Sequence, residues 1–154
     1  MKIFNTVFFS KKKVALGDGH VTQYTFFENK NFGGIWLYSW GHVGNQVRMH
    51  SHAFSSYCFT LKGSYIQDVL DENGIRRENV SNLFRPRYLP KNYVHRIVDA
   101  QPNTWTCVFF GKWSPYWFEY FEDTKTWVKY TWNRKVVDKI VDVSYNEIKD
   151  LLNL

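Results

Sequence analysis

Cysteine is scarce in this sequence: only Cys58 and Cys107 occur, too few for a disulfide framework. Two small buried thiols in a reducing compartment is the reading they support. No stretch has the apolar length of a membrane span. The first residues, "MKIFNTVFFSKKK", place a lysine run after a short apolar segment, the reverse of a signal peptide. A cytoplasmic protein that does not enter a membrane is therefore expected. Internal repeats, low-complexity segments and domain linkers are absent too, so residues 1–154 are expected to form one domain. Helical periodicity is confined to the end of the chain, and no zinc knuckle, helix-turn-helix or RNA-recognition signature is present.

What is abundant is aromatic side chains, 19% of residues. Flat rings pack well on pleated surfaces, and the chain reads as many short strands separated by turns. "KIFNTVFF" reads as a strand, and "KKKVALGDGHV" as a basic turn region. In "IWLYSWGHVG", Trp36, Tyr38 and Trp40 alternate with smaller residues and share one face. Asn73 and Gly74 predict a tight hairpin, and "PYWFEYFEDTKTWVKYTW" a last one. Ser144 and Glu147 fit a capping box for a helix over about 144–153, with Ile148, Leu151 and Leu152 at helical spacing. The fold class is all-β, a sandwich or barrel with one C-terminal helix outside.

The formal charge is +6 and the pI about 9.3. Such a balance favours a small anionic ligand and keeps nucleic acid in view as a lesser partner, with Lys11 to Lys13 as a solvated basic run.

"GNQVRMHSHAFSSYCFTLKG" holds His50 and His52 one residue apart, a spacing that aims both rings to one side of a strand. Neutral imidazoles ligate Zn, Fe, Cu or Ni, and a mononuclear site needs a third group. His95 follows the proline-containing turn of "YLPKNYVHRIV" and supplies it. His20 and His42, in glycine-rich segments, are poorer candidates. Arg48 shares the parity of the paired histidines, so a regular strand would point it inward to hold a substrate carboxylate or phosphate. Arg85 and Arg87 alternate with Phe84, Pro86 and Tyr88, so one row faces in. Trp36 and Tyr38 are candidate stacking platforms.

These residues resemble the cupins, a family of double-sheet jelly rolls. Its first motif runs glycine, five residues, His-x-His, three or four residues, glutamate, and six residues to a glycine. Gly44, His50, His52 and Gly63 fall on that spacing. "PKNYVH" is similar to the second motif at Pro90 and His95, with Asn92 in place of a glycine as a left-handed substitute. The resemblance covers about residues 34 to 110. From "TWTCVFFGKW" to "WVKYTW" the chain looks like small single-domain cupin-like proteins of bacteria and their phages.

The resemblance implies a single-domain jelly-roll barrel holding one divalent transition metal on His50, His52 and His95. The glutamate position is Ser56, with Tyr57 beside it. A cupin without that carboxylate is similar to the thiol dioxygenases, which hold Fe(II) on three histidines, and this favours Fe(II) over Zn, Mn or Ni. It implies a dioxygenase-like enzyme acting on a small anionic substrate, with Ser56 and Tyr57 in proton transfer or positioning. Two alternatives stand beside it: a non-catalytic pocket that sequesters a nucleotide or other small anion, and a basic nucleic-acid-associated protein. A homodimer is compatible with each.

Overall fold

Antiparallel strands account for almost all of the regular structure in the computed structural model, which describes residues 2–3, 6–16, 19–41, 43, 48–81 and 84–152. The first sheet is built from β1 (Lys2–Ile3), β2 (Thr6–Leu16), β3 (Gly19–Asn29), β4 (Gly33–Trp40), β6 (Ser56–Lys62), β9 (Arg87–Leu89) and β11 (Trp105–Phe110). The second holds β5 (Met49–His50), β7 (Tyr65–Asp71), β8 (Gly74–Val80), β10 (Val94–Ala100), β12 (Tyr116–Phe121), β13 (Thr126–Thr131) and β14 (Val136–Val141). Strand order is β1-β2-β3-β4-β11-β6-β9 in one and β14-β13-β12-β5-β10-β7-β8 in the other. β11 thus returns across a long excursion to lie between β4 and β6, while β5 is gripped between β10 and β12. The fold class read from the sequence is the one observed: two packed antiparallel sheets and one short helix.

Side-chain alternation decides what each sheet buries. Met49 on β5 faces away from the inter-sheet space, into a cluster with Val94, Phe118, Trp127, Ile148 and Leu152. Those last two belong to α1 (Tyr145–Leu152), so the helix seals the outer face of the second sheet. Leu151, expected on the buried face, is 39% exposed. The helix start is held by Glu147, whose carboxylate accepts both the Ser144 N–H at 2.9 Å and the Ser144 hydroxyl at 2.6 Å. The opposite side of the second sheet faces the first, and there Trp36, Phe54 and Phe110 form one cluster and Val21, Tyr65 and Ile97 anchor another.

Three local readings change. The Lys11–Lys13 run is exposed but lies inside β2, paired with Gln23 and its neighbours on β3, instead of in a turn. The hairpin turn sits one residue earlier than expected: Asp71 pairs with Gly74, leaving Glu72 and Asn73 as the loop. β14 was not anticipated; its Val136, Val137 and Val141 are 52%, 49% and 63% exposed, and without a buried apolar face it leaves no strand signature. Cys58 and Cys107 are both free thiols, one buried and one half-buried. Among the described residues no helix is long and apolar enough to cross a membrane.

Gly63 closes the first motif for a physical reason. Its φ is +75°, and an added Cβ would lie 2.3 Å from the Thr104 hydroxyl oxygen. Gly74 also has positive φ, +100°, but open space around it. Gly74→Ala is therefore expected to cost about 1–2 kcal/mol from backbone strain alone, and Gly63→Ala more, about 2–4 kcal/mol, because the clash adds to it. Urea unfolding midpoints of the two variants measure the difference.

Candidate metal centre

β5 is only two residues long, yet it fixes the site. His50 pairs directly with His95 on β10 and with Glu119 on β12. Beyond His50 the chain leaves the sheet but stays tethered. The Ser51 N–H donates to the Phe118 carbonyl at 2.9 Å, and the Ser51 hydroxyl accepts the Phe118 N–H at 3.0 Å. The His52 N–H donates to the Lys91 carbonyl at 3.3 Å, and the Lys91 N–H to the Ser55 hydroxyl at 3.1 Å. Lys91 lies in the turn closed by the Tyr93 N–H on the Pro90 carbonyl at 2.8 Å. The proline turn therefore sets the height of His95, as expected, and that of His52 as well. Asn92 does not adopt the left-handed backbone anticipated for it; the turn closes without one.

The three rings form a nearly equilateral triangle, with centroid separations of 5.1, 5.0 and 5.1 Å. One nitrogen from each lies within 4.8 Å of the other two. The Nε2 atoms of His52 and His95 are 2.8 Å apart. Burial pushes the proton affinity of all three down, that of His52 to about 3, with the neighbouring imidazoles adding to the effect at His52 and His95. At His50 the Glu119 carboxylate pulls the other way.

Gln67 is fully buried and orients His95. Its Oε1 lies 3.0 Å from His95 Nδ1, while its Nε2 donates to the Glu78 carboxylate at 2.8 Å and the Tyr93 hydroxyl at 2.7 Å. A carboxylate only accepts, so the amide nitrogen must face Glu78 and the amide oxygen must face the imidazole. His95 then carries its proton on Nδ1 and offers a bare Nε2 to the centre of the triangle. Three neutral, inward-facing imidazoles, one locked in its tautomer, fit a divalent transition metal. Nothing in the spacing of histidines pointed to Gln67; it is 28 residues from His95 in sequence and meets it only through the pairing of β7 with β10.

The histidines face a cavity of about 210 Å³ between the sheets. Ser56, Trp36 and Tyr38 line it, as the sequence suggested, together with Trp40, Phe54 and Cys58. Burial pushes the Cys58 thiol up to about 11 and holds the Tyr38 hydroxyl far above its ordinary range.

The other expected site residues lie elsewhere. Tyr57 points out of the first sheet, 52% exposed, with its ring 5.2 Å from Tyr88. Strand alternation permits only one of Ser56 and Tyr57 inside, and Ser56 takes that place. Arg48 precedes β5 at a bend, so the parity argument does not reach it. Its exposed guanidinium pairs with Glu119 at 3.3 Å and lies over the Phe121 ring. Arg85 is exposed outside any strand. Arg87 is half-buried behind the cavity wall, committed to Glu78 at 2.8 Å, the Tyr93 hydroxyl at 3.1 Å and the Tyr65 hydroxyl at 3.4 Å. His20 is exposed on β3; Gly44 and His42 fall outside the described residues.

No family model and no curated protein matches the sequence. Solved structures do match in shape. Oxalate decarboxylase from Bacillus subtilis at pH 4.6 aligns with a TM-score of 0.50 and 15% identity, over 70% of this chain and 28% of that one. The Fe(II) form of HppE aligns with a TM-score of 0.51 and 8% identity, over 66% of this chain and 56% of that one. At such identities the likeness is one of fold. That fold is the cupin jelly roll, and this chain carries it with a three-histidine centre.

Two measurements probe the centre. Gln67→Leu removes the acceptor for His95 Nδ1–H and is expected to weaken Zn(II) binding by about 10–100-fold by calorimetric titration. In the metal-free protein the unfolded chain titrates its histidines near 6.5, whereas folded His52 does so near 3. The unfolded state binds more protons between those values, so the stability from neutral burial is complete above the upper one. It is lost as pH falls through the window. The melting temperature of metal-free protein should drop from about pH 7 to about pH 4.5, and less steeply in His52→Phe.

Proposed function

We propose that the protein is a metal-dependent enzyme of the non-haem dioxygenase kind, holding one divalent transition metal on His50, His52 and His95. The observation that carries this is the convergence of those three uncharged imidazoles on one point facing the cavity between the sheets. Fe(II) is the favoured ion, in keeping with the all-histidine donor set. A bound ion of this kind supplies Lewis acidity and open positions for dioxygen or a substrate oxygen.

The chain's own residues do the rest. Ser56 stands at the cavity wall where the resemblance places a glutamate, and its hydroxyl orients a bound molecule. Trp36 and Tyr38 form the wall against which the substrate rests. Phe54, stacked on His52 at 5.6 Å, excludes water from one side of the centre. Tyr38 stays protonated and donates its hydroxyl to Gln23 Oε1 at 3.2 Å, so it acts as a fixed wall.

A second reading, a pocket that sequesters a small ligand without turning it over, has one observation in its favour. No Asp or Glu lines the cavity among the described residues, which leaves no carboxylate for acid–base work. A whole nucleotide is a poor fit for either reading, since about 210 Å³ is below the usual range for drug-sized ligands.

Protein purified without a histidine tag should contain close to one equivalent of metal per chain by elemental analysis, and should consume dioxygen with a turnover substrate. His50→Ala and His95→Ala should each lower bound metal about 10-fold or more, since one of three ligands is lost. His20→Ala should leave it unchanged. Equal metal in all three variants would remove these histidines from the site.

A further inference from the structure

The overall positive charge suggests an anionic ligand, but the cavity does not. Among the described residues no Lys or Arg lines it. Away from the histidines its walls are mainly apolar, with Val14, Leu16, Val21, Leu89, Ile97 and Val108, and the hydroxyls on them belong to Ser56 and Thr106. The polar atoms of the aromatic walls are already spent inside the protein. Trp36 Nε1 donates to Glu28 at 3.1 Å and Trp40 Nε1 to the Thr106 hydroxyl at 3.0 Å. The Tyr65 hydroxyl accepts from Arg87 at 3.4 Å, and the Tyr65 ring stacks on Trp40 with centroids 5.4 Å apart. Arg87, behind the wall, is paired with Glu78 at 2.8 Å.

A charged group buried against such walls would find no partner and would lose its hydration without compensation. Among the described residues the histidine triangle, with the Ser56 hydroxyl on the same wall, is the polar end of the cavity. Its volume, about 210 Å³, exceeds the roughly 150 Å³ of an apolar cavity known to accommodate benzene.

Resting on the three-histidine metal reading, we propose that the cavity takes a small amphipathic molecule. One metal-seeking oxygen group sits at the histidine pole, and an uncharged aromatic or aliphatic body of about benzene size lies against Val21, Trp40, Tyr65 and Ile97. The substrate or ligand is thus an apolar molecule with one oxygenated head, in contrast to a dicarboxylate or a phosphate ester.

The test uses two hydroxamates with the same metal-binding head, and one dianion. Metal content is measured first on protein loaded with Co(II). Acetohydroxamate, benzohydroxamate and succinate are then titrated against the cobalt absorption bands. Benzohydroxamate is expected to bind about 30-fold more tightly than acetohydroxamate, because its phenyl ring leaves water for the apolar wall. Free Co(II) in the same buffer gives the preference of the ion alone. Leu16→Lys, which places a cation on a half-buried part of the wall, should cut the phenyl advantage to about 3-fold or less. The same variant should favour 4-carboxybenzohydroxamate over benzohydroxamate.

Equal affinity for the two hydroxamates in metal-loaded wild-type protein would overturn the proposal and leave the metal reading standing, as would tightest binding of succinate. A protein that takes up no cobalt would overturn the metal reading instead. The apolar body site is then judged by toluene titrated into metal-free protein and read by Trp fluorescence, where no binding overturns it and saturable binding supports it.

Discussion

Three imidazoles with nitrogens inside 4.8 Å of one another can share a protein interior only while they remain uncharged. That constraint organises everything around them. A carboxylate placed beside the rings would draw protons onto them; here the fully buried partner of His95 is the neutral amide of Gln67. The charges that orient this amide stand one step further out, in Glu78 and Arg87. Glu119, the one carboxylate paired across from His50, is engaged by Arg48. The lone pairs that a metal requires are thus kept free by the same burial that makes protonation costly.

How much of this was legible in the sequence depended on whether a feature was local. The histidine spacing was readable because it is a local pattern, although only His50 and His95 lie in strands; His52 follows β5 and is held beside them by its N–H on the Lys91 carbonyl. Gly63 was readable because a left-handed backbone selects glycine. Arg48 was not, because parity holds only within a strand, and β5 begins one residue after it. Tyr57 and Ser56 could not both face inward, and which of them does depends on the register of β6 against β11 and β9, information carried by distant residues. Gln67 was invisible for the same reason. Its role exists only after β7 and β10 have paired, and an isolated glutamine in a strand carries no mark of it.

The net charge is a property of a different part of the molecule. Six excess positive charges describe the surface, where lysines and arginines are solvated or paired. They say nothing about the cavity, which among the described residues is lined by no Lys, Arg, Asp or Glu. Arg76 pairs with Asp71 and Arg96 with Glu122 at the sheet surface, where exposed pairs contribute little to stability, while Arg77 and Arg96 both pair with the buried carboxylate of Asp68. The basic surface and the largely apolar cavity are separate properties of one chain.

The outer strands of the second sheet carry a burden of their own. β14 and β8 are its two edges, and an unpaired edge is a template on which another chain can add a strand. β14 combines exposed valines with such an edge, the combination that most favours strand addition. Asp138 and Lys139 interrupt its apolar run, and Arg76, Arg77 and Glu78 do the same on β8. Charge along both free edges thus opposes the addition of a further strand, and Glu78 serves twice, as an edge charge and as the group that orients the Gln67 amide toward His95.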